Sequence, residues 1–353
     1  MNHQMKKNIN SPREKTITKN ANSLALLSIK KLVDNKSVLY IATTYLDYLR
    51  VQQEITLLNT YAKQVYIIVS NRKNYGLRLL YVYLKSLFFF KKIDVVFIGF
   101  APQLVLPFLK WRFFSKKVII DFFISLHDTM IMDRKKFSQS SIISKALKFF
   151  DKITLKWADL VISDTQAHAE YFVKTLGCDK DKIQTLYLSA DNNYYYPKVV
   201  KKPKKIQDKF VVLYFGTGLP LQGIDVILES LNLCQDKNIF FIMIGALDSS
   251  YCTNKNVKFI QWLPQEKLAS HIAFADLCLA GHFCANIKKA SRTIPGKAYI
   301  YEAMNKDIVL GDNNANRERY PQYYQAVTFV KMGSAIELNE VIMKKYWDSK
   351  NEK

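Results

Sequence analysis

Acidic residues are scarce in this sequence. The 30 Asp and Glu stand against 52 Lys and Arg, which leaves a net charge of +22 over 353 residues. Such an excess is consistent with an anionic partner, which could be nucleic acid, an anionic membrane or a phosphorylated substrate. It is equally consistent with a Lys-rich surface that binds none of these. No recognisable nucleic-acid module accompanies the charge, so we expect no nucleic-acid partner.

Cysteines are few, and long apolar runs are missing. The five cysteines are odd in number and form no C-x-x-C pair, which argues against a disulfide framework and against a structural zinc site. The first 20 residues are polar and lack the apolar core of a secretory signal, so we expect no such signal here. We therefore expect a cytoplasmic protein, and a length of 353 residues favours two domains.

The longest apolar stretch, residues 77–90, is interrupted by Arg78 and Lys85. It is shorter than the roughly 20 residues needed to span a bilayer. It could be an amphipathic helix that contacts a membrane, with both cations reaching towards water. A helix buried in the core is the more common explanation.

Short apolar runs alternate with segments of helical spacing from residue 37 onwards. Runs lie at 38–42, 65–69, 95–98, 118–121, 160–163 and 183–188, and then at 210–215, 239–244, 257–260, 277–280, 308–310 and 328–330. Continuously apolar strands separated by helices indicate parallel sheets buried on both faces. The pattern predicts an α/β protein with two Rossmann-like, doubly wound domains that face each other across a ligand-binding cleft.

A charged stretch that contains proline and has no periodicity predicts a linker at residues 191–209. The predicted domains are 37–190 and 210–353, and the last helix could pack back onto the first domain. Residues 1–36 carry eight Lys and Arg against two acidic residues. They predict a basic tail that is partly disordered.

Gly216 and Gly218 stand in a turn between a predicted strand and a predicted helix. Glycine lets a ligand approach the backbone, and a helix N-terminus favours an anion. The spacing is not G-x-G-x-x-G, which disfavours a dinucleotide site. By itself the turn is equally consistent with a phosphate site and with a tight turn alone.

Four cations follow the predicted strand 277–280, where an α/β domain places its ligand-binding loop. They are Lys288, Lys289, Arg292 and Lys297. Arg can bind phosphate bidentately, and Lys supplies a compact charge. Because small and apolar residues surround these cations, we favour a phosphate-binding loop over a solvated basic loop.

A third set of polar residues follows the predicted strand 118–121. It contains His127, Asp128, Asp133 and Arg134. Such side chains can orient sugar hydroxyls or move protons. Taken singly, His127 could be a hydrogen-bonded structural histidine and Asp128 a helix cap, but the cluster favours a site.

In this order, the motifs resemble glycosyltransferase family 4, the retaining GT-B enzymes, and more narrowly the bacterial members that assemble surface polysaccharides. Residues 222–227 resemble their "plQGIDvii", residues 289–299 their "KAxRvIPNKvY", residues 311–318 their "tGDspaxrE" and residues 121–134 their "D..iSlyDT…DR". The resemblance covers residues 38–345, and the motifs of the second half are the more specific.

The resemblance implies a transfer, with retention, from a UDP- or GDP-linked sugar to a lipid-linked or polysaccharide acceptor, with no metal or other cofactor required. The implied donor-binding residues are Gly216, Gly218, Gln222, Lys288, Lys289, Arg292, Lys297 and Glu302. The implied catalytic residues are His127, Asp128, Asp133 and Arg134. The enzyme would work in the cytoplasm, in peripheral contact with the anionic inner face of the cell membrane.

The sequence departs from the family pattern at several positions. Aligned without gaps, the family's ribose-binding Glu falls on Ile300, and Glu302 follows two positions later, which on a helix turns a side chain by about 200°. Asp307 stands where the family has Pro. The alternative function is therefore a weak or inactive GT-B protein that binds a partner transferase or a glycan.

Overall fold

The structure is a computed structural model that describes residues 14–321 and 324–351, with side chains from residue 22 onwards. In this part of the chain, two parallel sheets carry helices on both sides. No helix among the described residues is long and apolar enough to cross a membrane.

The first sheet has the strand order β2-β1-β3-β4-β5-β6. Its strands are β1 (Ser37–Ile41), β2 (Gln64–Ile68), β3 (Val95–Ile98), β4 (Lys117–Asp121), β5 (Leu160–Ser163) and β6 (Ile183–Thr185). The helices of this half are α1 (Glu14–Val33), α2 (Leu49–Tyr61), α3 (Tyr75–Leu87), α4 (Leu106–Leu109), α5 (Ile142–Trp157) and α6 (Gln166–Tyr171). Every residue of β3 and β5 is buried, as expected for strands covered on both faces.

The second sheet has the order β12-β11-β10-β7-β8-β9. Its strands are β7 (Phe210–Phe215), β8 (Ile239–Ile244), β9 (Val257–Ile260), β10 (Leu277–Gly281), β11 (Ile308–Gly311) and β12 (Val327–Val330). The helices are α7 (Ile224–Leu233), α8 (Gln265–Phe274), α9 (Gly296–Ala303), α10 (Asn314–Arg319) and α11 (Ala335–Asn351). The prediction of two doubly wound parallel sheets is confirmed, and each predicted strand lies within three residues of an observed one.

The strand orders also locate the ligand sites that such sheets provide. β1 lies between β2 and β3, and β7 lies between β8 and β10, so the direction of winding reverses at these points. Ligands of open α/β sheets bind beyond the carboxyl ends of the strands at such reversals. The turn that contains Gly216 follows β7. The loop that carries Lys288, Lys289 and Arg292, called the basic loop below, follows β10. Both of these predicted motifs therefore flank one reversal.

Helix α1 corrects the prediction of a partly disordered tail over residues 1–36. Ala25, Ile29 and Val33 are fully buried in the core of the first domain. Their spacing of four residues forms one apolar stripe, which the many lysines of this segment conceal in the composition. Residues 1–13 of the predicted tail lie outside the described residues.

Helix α11 corrects a second expectation. Leu338, Ile342 and Tyr346 are buried in the core of the second domain, and Lys345 Nζ binds Asp307 Oδ2 at 2.9 Å. The last helix therefore packs on its own domain over the described residues. The predicted limits of the linker, 191–209, stay a prediction.

Helix α3 is not the core helix that its composition favours. Val82 and Ser86 are buried, but Leu77, Leu80 and Leu84 on the outer side are about half exposed. Arg78 is buried among backbone carbonyl groups that accept from its guanidinium. The helix thus buries its cation and exposes its leucines, the opposite of the usual arrangement for a surface helix.

Candidate active site between the two domains

The two domains meet through loops that follow the carboxyl ends of strands in both sheets. Residues 128–133, which follow β4, contact residues 288–291, which follow β10. Helix α6, which follows β5, contacts α10, which follows β11. The carboxyl edges of the two sheets therefore face each other, and the predicted motifs of both halves come together at this junction.

Arg292 crosses from the second domain to the first. Its Nη2 donates to Asp128 Oδ2 at 2.7 Å, and its guanidinium carbon lies 4.0 Å from the ring centroid of Tyr171. Its backbone oxygen accepts from Thr165 Oγ1 at 2.5 Å. Its Nε is buried without a hydrogen-bond partner in the described part of the chain, so a planar cation with one unused donor faces the junction.

Lys289 also reaches the first domain, and its Nζ donates to Thr129 Oγ1 at 2.9 Å. Burial lowers the pKa of Lys289, although the carboxylates of Asp128 and Asp133 oppose this shift. Burial raises the pKa of Asp133, whereas the nearby charge of Lys289 lowers it. Asp133 Oδ1 is buried and accepts no hydrogen bond from the described residues. These groups form a buried set of opposite charges that a polar ligand could engage.

Lys297 lies deeper in the second domain, at the reversal between β7 and β10. Its Nζ donates to Gln222 Oε1 at 2.6 Å and lies 4.6 Å from the ring centroid of Tyr214. Burial lowers the pKa of Lys297 to about 7. Gly216 has φ of +145°, and a Cβ atom there would lie 3.1 Å from Lys297 Cε. Glycine at this turn therefore makes room for the lysine side chain.

The backbone of the basic loop is held by neutral contacts. Burial lowers the pKa of His282 to about 3, so the ring is neutral, and its Nδ1 donates to Thr293 O at 2.8 Å. Gly223 immediately precedes α7 with φ of +70°, and a Cβ atom there would lie 2.7 Å from Cys284 N. Glycine therefore lets the start of α7 approach the residues that follow β10.

His127 is positioned by α5 of the first domain. Its backbone N–H donates to Asp151 Oδ2 at 3.0 Å, and its Nε2 lies 3.1 Å from Ser144 Oγ. Burial lowers the pKa of His127, which favours the neutral ring at pH 7. Its Nδ1 is buried without a hydrogen-bond partner among the described residues.

Asp128 begins a widened helical turn, a π-helix from Asp128 to Asp133. In this turn the Arg134 N–H donates to Thr129 O at 3.0 Å. Such turns are frequent at functional sites. Asp128 itself is buried, and its backbone N–H donates to Ser125 Oγ at 3.0 Å, which fixes the residue whose carboxylate accepts from Arg292.

Glu318 makes a second junction that sequence reasoning missed as a site. Its carboxylate accepts from the N–H groups of Gln166 and Ala167 at 2.7 and 2.9 Å, and from the Tyr187 hydroxyl at 3.0 Å. A second-domain carboxylate therefore caps the first turn of α6. Burial raises the pKa of Glu318 to about 7, although these three bonds lower it. The quoted motif contained Glu318, but nothing in the sequence indicated a contact with α6.

Comparison with solved structures identifies the fold of this chain. No protein-family model matches the sequence, and no curated protein does. Sucrose-phosphate synthase from Thermosynechococcus elongatus superposes with a TM-score of 0.67 at 11% identity, over 89% of this chain and 90% of that chain. HepE from Anabaena, in complex with UDP and glucose, gives 0.62 at 15% identity, over 89% and 91%. The fold is GT-B.

A third GT-B structure is similar. The catalytic domain of starch synthase IV from Arabidopsis thaliana, bound to ADP and acarbose, gives a TM-score of 0.58 at 10% identity, over 90% of this chain and 92% of that chain. At these identities the likeness concerns the fold. The structural neighbours of this chain thus include glycosyltransferases.

Several predicted site residues are not part of the cluster in this GT-B chain. Glu302 accepts from Arg319 Nη2 at 2.6 and 2.8 Å and from the Tyr320 hydroxyl at 3.0 Å. Lys288 and Arg134 are exposed. Gly218 has no atom within 3.4 Å of the position of a Cβ atom, so nothing described there requires glycine.

The GT-B junction therefore offers cations, a neutral histidine and buried carboxylates. Among the described residues, no group of three or more His, Cys, Asp or Glu side chains could hold a metal ion. Tyr171, which lies under Arg292, was not predicted, because a ring contact across two domains leaves no local pattern in the sequence. The arrangement can bind an anion and position polar groups around it.

Proposed function

We propose that this GT-B protein is a glycosyltransferase that moves a sugar from a UDP- or GDP-linked donor to an acceptor in bacterial cell-surface glycan synthesis. The acceptor is a polysaccharide or a lipid-linked glycan reached in the cytoplasm, at the inner face of the cell membrane. The observation that carries the proposal is the convergence of Lys289 and Arg292 on Asp128 and Thr129 of the opposite domain.

In this proposal the diphosphate of the donor binds the basic loop. Arg292 has an unpaired Nε donor, and a guanidinium binds phosphate bidentately. Lys289 and Lys297 are largely buried, so their charges act in a medium of low polarity, where attraction to a phosphate is stronger than in water. These cations stabilise the negative charge that develops on the diphosphate as the sugar bond breaks, and no metal ion is needed for this role.

The first domain supplies the sugar side of the site. His127 contacts the donor sugar with its neutral ring, and Asp128 and Asp133 shape its surroundings. The acceptor hydroxyl attacks from the face that the diphosphate leaves, which retains the anomeric configuration. The departing phosphate takes the proton of that hydroxyl, so the new glycosidic bond forms as the bond to phosphate breaks.

The direct test is a screen of nucleotide sugars with membrane extracts as acceptor, followed by mass spectrometry. The proposal expects one donor to be consumed, with a matching mass increase in the acceptor. It expects Arg292→Ala to lose at least about a hundredfold in turnover, as for other groups that stabilise developing charge. If no donor is transferred or hydrolysed, the transferase proposal fails.

A second candidate function follows from one observation. Ile300 is buried and apolar, and the carboxylate of Glu302 is bonded to Arg319 and Tyr320. The position that in the resembling family binds the ribose therefore carries no carboxylate. A protein that binds a partner transferase or a glycan without turnover would fit this feature, and micromolar binding of UDP or GDP that Arg292→Ala abolishes would argue against it.

A further inference from the structure

Six aromatic side chains lie on the surface of the first domain with exposed fractions between 50% and 84%. We call them the aromatic face: Phe88, Phe90, Phe108, Trp111, Phe114 and Phe149. Large exposed apolar patches are rare on monomeric proteins and mark interaction sites. The site between the two domains uses none of these residues.

Ring contacts connect the elements that carry the aromatic face. Tyr83 of α3 lies 6.1 Å from Phe108, and Phe108 lies 5.4 Å from Phe150 of α5, measured between ring centroids. The guanidinium carbon of Arg112 lies 5.5 Å from the ring centroid of Phe90. The end of α3, residues 106–114 and α5 therefore pack against one another, and Leu80 and Leu84 of α3 add further exposed apolar area.

Exposed lysines occur in the segments that carry the aromatic face, and acidic residues are scarce in them. Lys85 lies on α3, Lys91 and Lys92 follow α3, and Lys145 and Lys152 lie on α5. The sequence from residue 73 to residue 117 contains one acidic residue, Asp94. The acidic residue of α5, Asp151, is buried and holds the His127 loop. An exposed apolar surface with a basic rim is complementary to anionic lipid.

We propose that the aromatic face docks the first domain onto an anionic membrane surface. The phenyl and indole rings enter the boundary between headgroups and acyl chains, where aromatic side chains are favoured. The lysines bind anionic headgroups while their aliphatic stems lie along the apolar surface. The protein rests on the membrane by this face.

Charge favours lipid over a second copy of the chain as the occupant. A symmetric dimer brings the same surface of both subunits together, so the lysine rims of two chains would face each other. With a net charge of +22 per chain, that contact would be repulsive. An anionic bilayer instead supplies the opposite charge.

The aromatic face continues to the candidate active site along α5. Ile142 and Phe149 are two helical turns apart, on one side of α5, and both are exposed. Ser144 lies in the first turn of α5, and its Oγ is 3.1 Å from His127 Nε2. If the proposed transferase function holds, docking by this face presents the junction to an acceptor anchored in the same membrane. The docking itself does not depend on that function.

The test is cosedimentation of the full chain with vesicles of phosphatidylcholine, with and without 30% phosphatidylglycerol. The variant Phe90→Ser/Trp111→Ser/Phe114→Ser removes the three most exposed rings. A matched control, Tyr251→Ser/Trp262→Ser/Trp347→Ser, removes three exposed rings of the second domain. Circular dichroism and calorimetry with UDP on the same samples report folding and the nucleotide site separately.

We expect the wild type and the control to bind the anionic vesicles, and the triple variant to bind at least about tenfold more weakly, because interfacial binding scales with buried apolar area and charge. UDP binding should be the same in all three proteins. No binding of the wild type would overturn the proposal, and so would equal binding by the folded triple variant. A lipid-free dimer that the triple variant abolishes would assign this face to a second copy of the chain instead.

Discussion

Arg292 and Asp128, from opposite domains, form an ion pair of 2.7 Å in which the carboxylate is buried. A diphosphate that binds Arg292 must share the guanidinium with this carboxylate or displace it. The pair therefore links donor binding to the contact between the domains.

Asp128→Asn should tighten the binding of UDP, because it removes a negative charge that competes for Arg292. We expect a gain of about threefold to tenfold, or about 0.7–1.4 kcal/mol, by titration calorimetry. Turnover of the donor should fall in the same variant. Asp181→Asn, in an exposed turn of the first domain, removes an equal charge elsewhere and should change neither quantity. Weaker UDP binding by Asp128→Asn would contradict this account of the pair.

Lys297 predicts a pH dependence of donor binding. Its pKa of about 7 in the free protein should rise when a diphosphate binds, because an opposite charge favours the protonated form. Affinity for a nucleotide sugar should be constant just below pH 7. It should fall by up to about tenfold per pH unit above it, since one proton is then taken up on binding. Calorimetry in buffers of different ionisation enthalpy measures that proton.

The matched variant is Lys297→Met, which keeps the length of the side chain and removes its charge. It should bind more weakly below pH 7 and show a flat profile from pH 7 to 9. A wild-type affinity that does not change across this range would exclude Lys297 from the diphosphate site.

The sequence was sufficient for the strands and for the loops between them. Continuous apolar runs such as 95–98 and 160–163 matched β3 and β5 residue for residue. A parallel strand that is buried on both faces is apolar at nearly every position, so its limits can be read in the sequence. The positions of Arg292 and His127 after strand ends also followed from this reading.

Contacts between the domains could not be read in the same way. Glu318 and Gln166 are 152 positions apart, and Tyr171 and Arg292 are 121 apart. No local periodicity encodes such pairs. Within the second domain, Glu302 accepts a hydrogen bond from Arg319, 17 positions away, which the sequence did not indicate either; its role at the donor stays a prediction.

His127→Ala should lower turnover by about a hundredfold or more, within the range for positioned polar groups. UDP affinity should change by less than about twofold, since the ring is assigned to the sugar and not to the diphosphate. Because burial lowers the pKa of His127, the wild-type rate should show no loss from protonation of this ring at pH 7. Steady-state kinetics with the identified donor separates kcat from KM, and a loss confined to KM would contradict this assignment.

Glu318→Gln should change how stability depends on pH. The folded pKa of about 7 lies above the ordinary value near 4.5, so the folded protein binds more protons between these pH values. The free energy of unfolding should therefore decline as pH rises from about 4.5 through 7. Gln removes this contribution. Urea unfolding at pH 5 and pH 7 compares the two proteins, and identical pH trends would show that Glu318 is not the group responsible.

The central claim is that the basic loop binds the diphosphate of a nucleotide between the two domains. Titration calorimetry with UDP and with GDP tests it on the wild type, on Arg292→Ala and on Lys258→Ala, which removes an exposed cation from β9. The account predicts micromolar binding of one nucleotide, lost by at least about thirtyfold in Arg292→Ala, a change of about 2 kcal/mol, and kept in Lys258→Ala. Binding of equal strength in all three proteins, or none in the wild type, would contradict it.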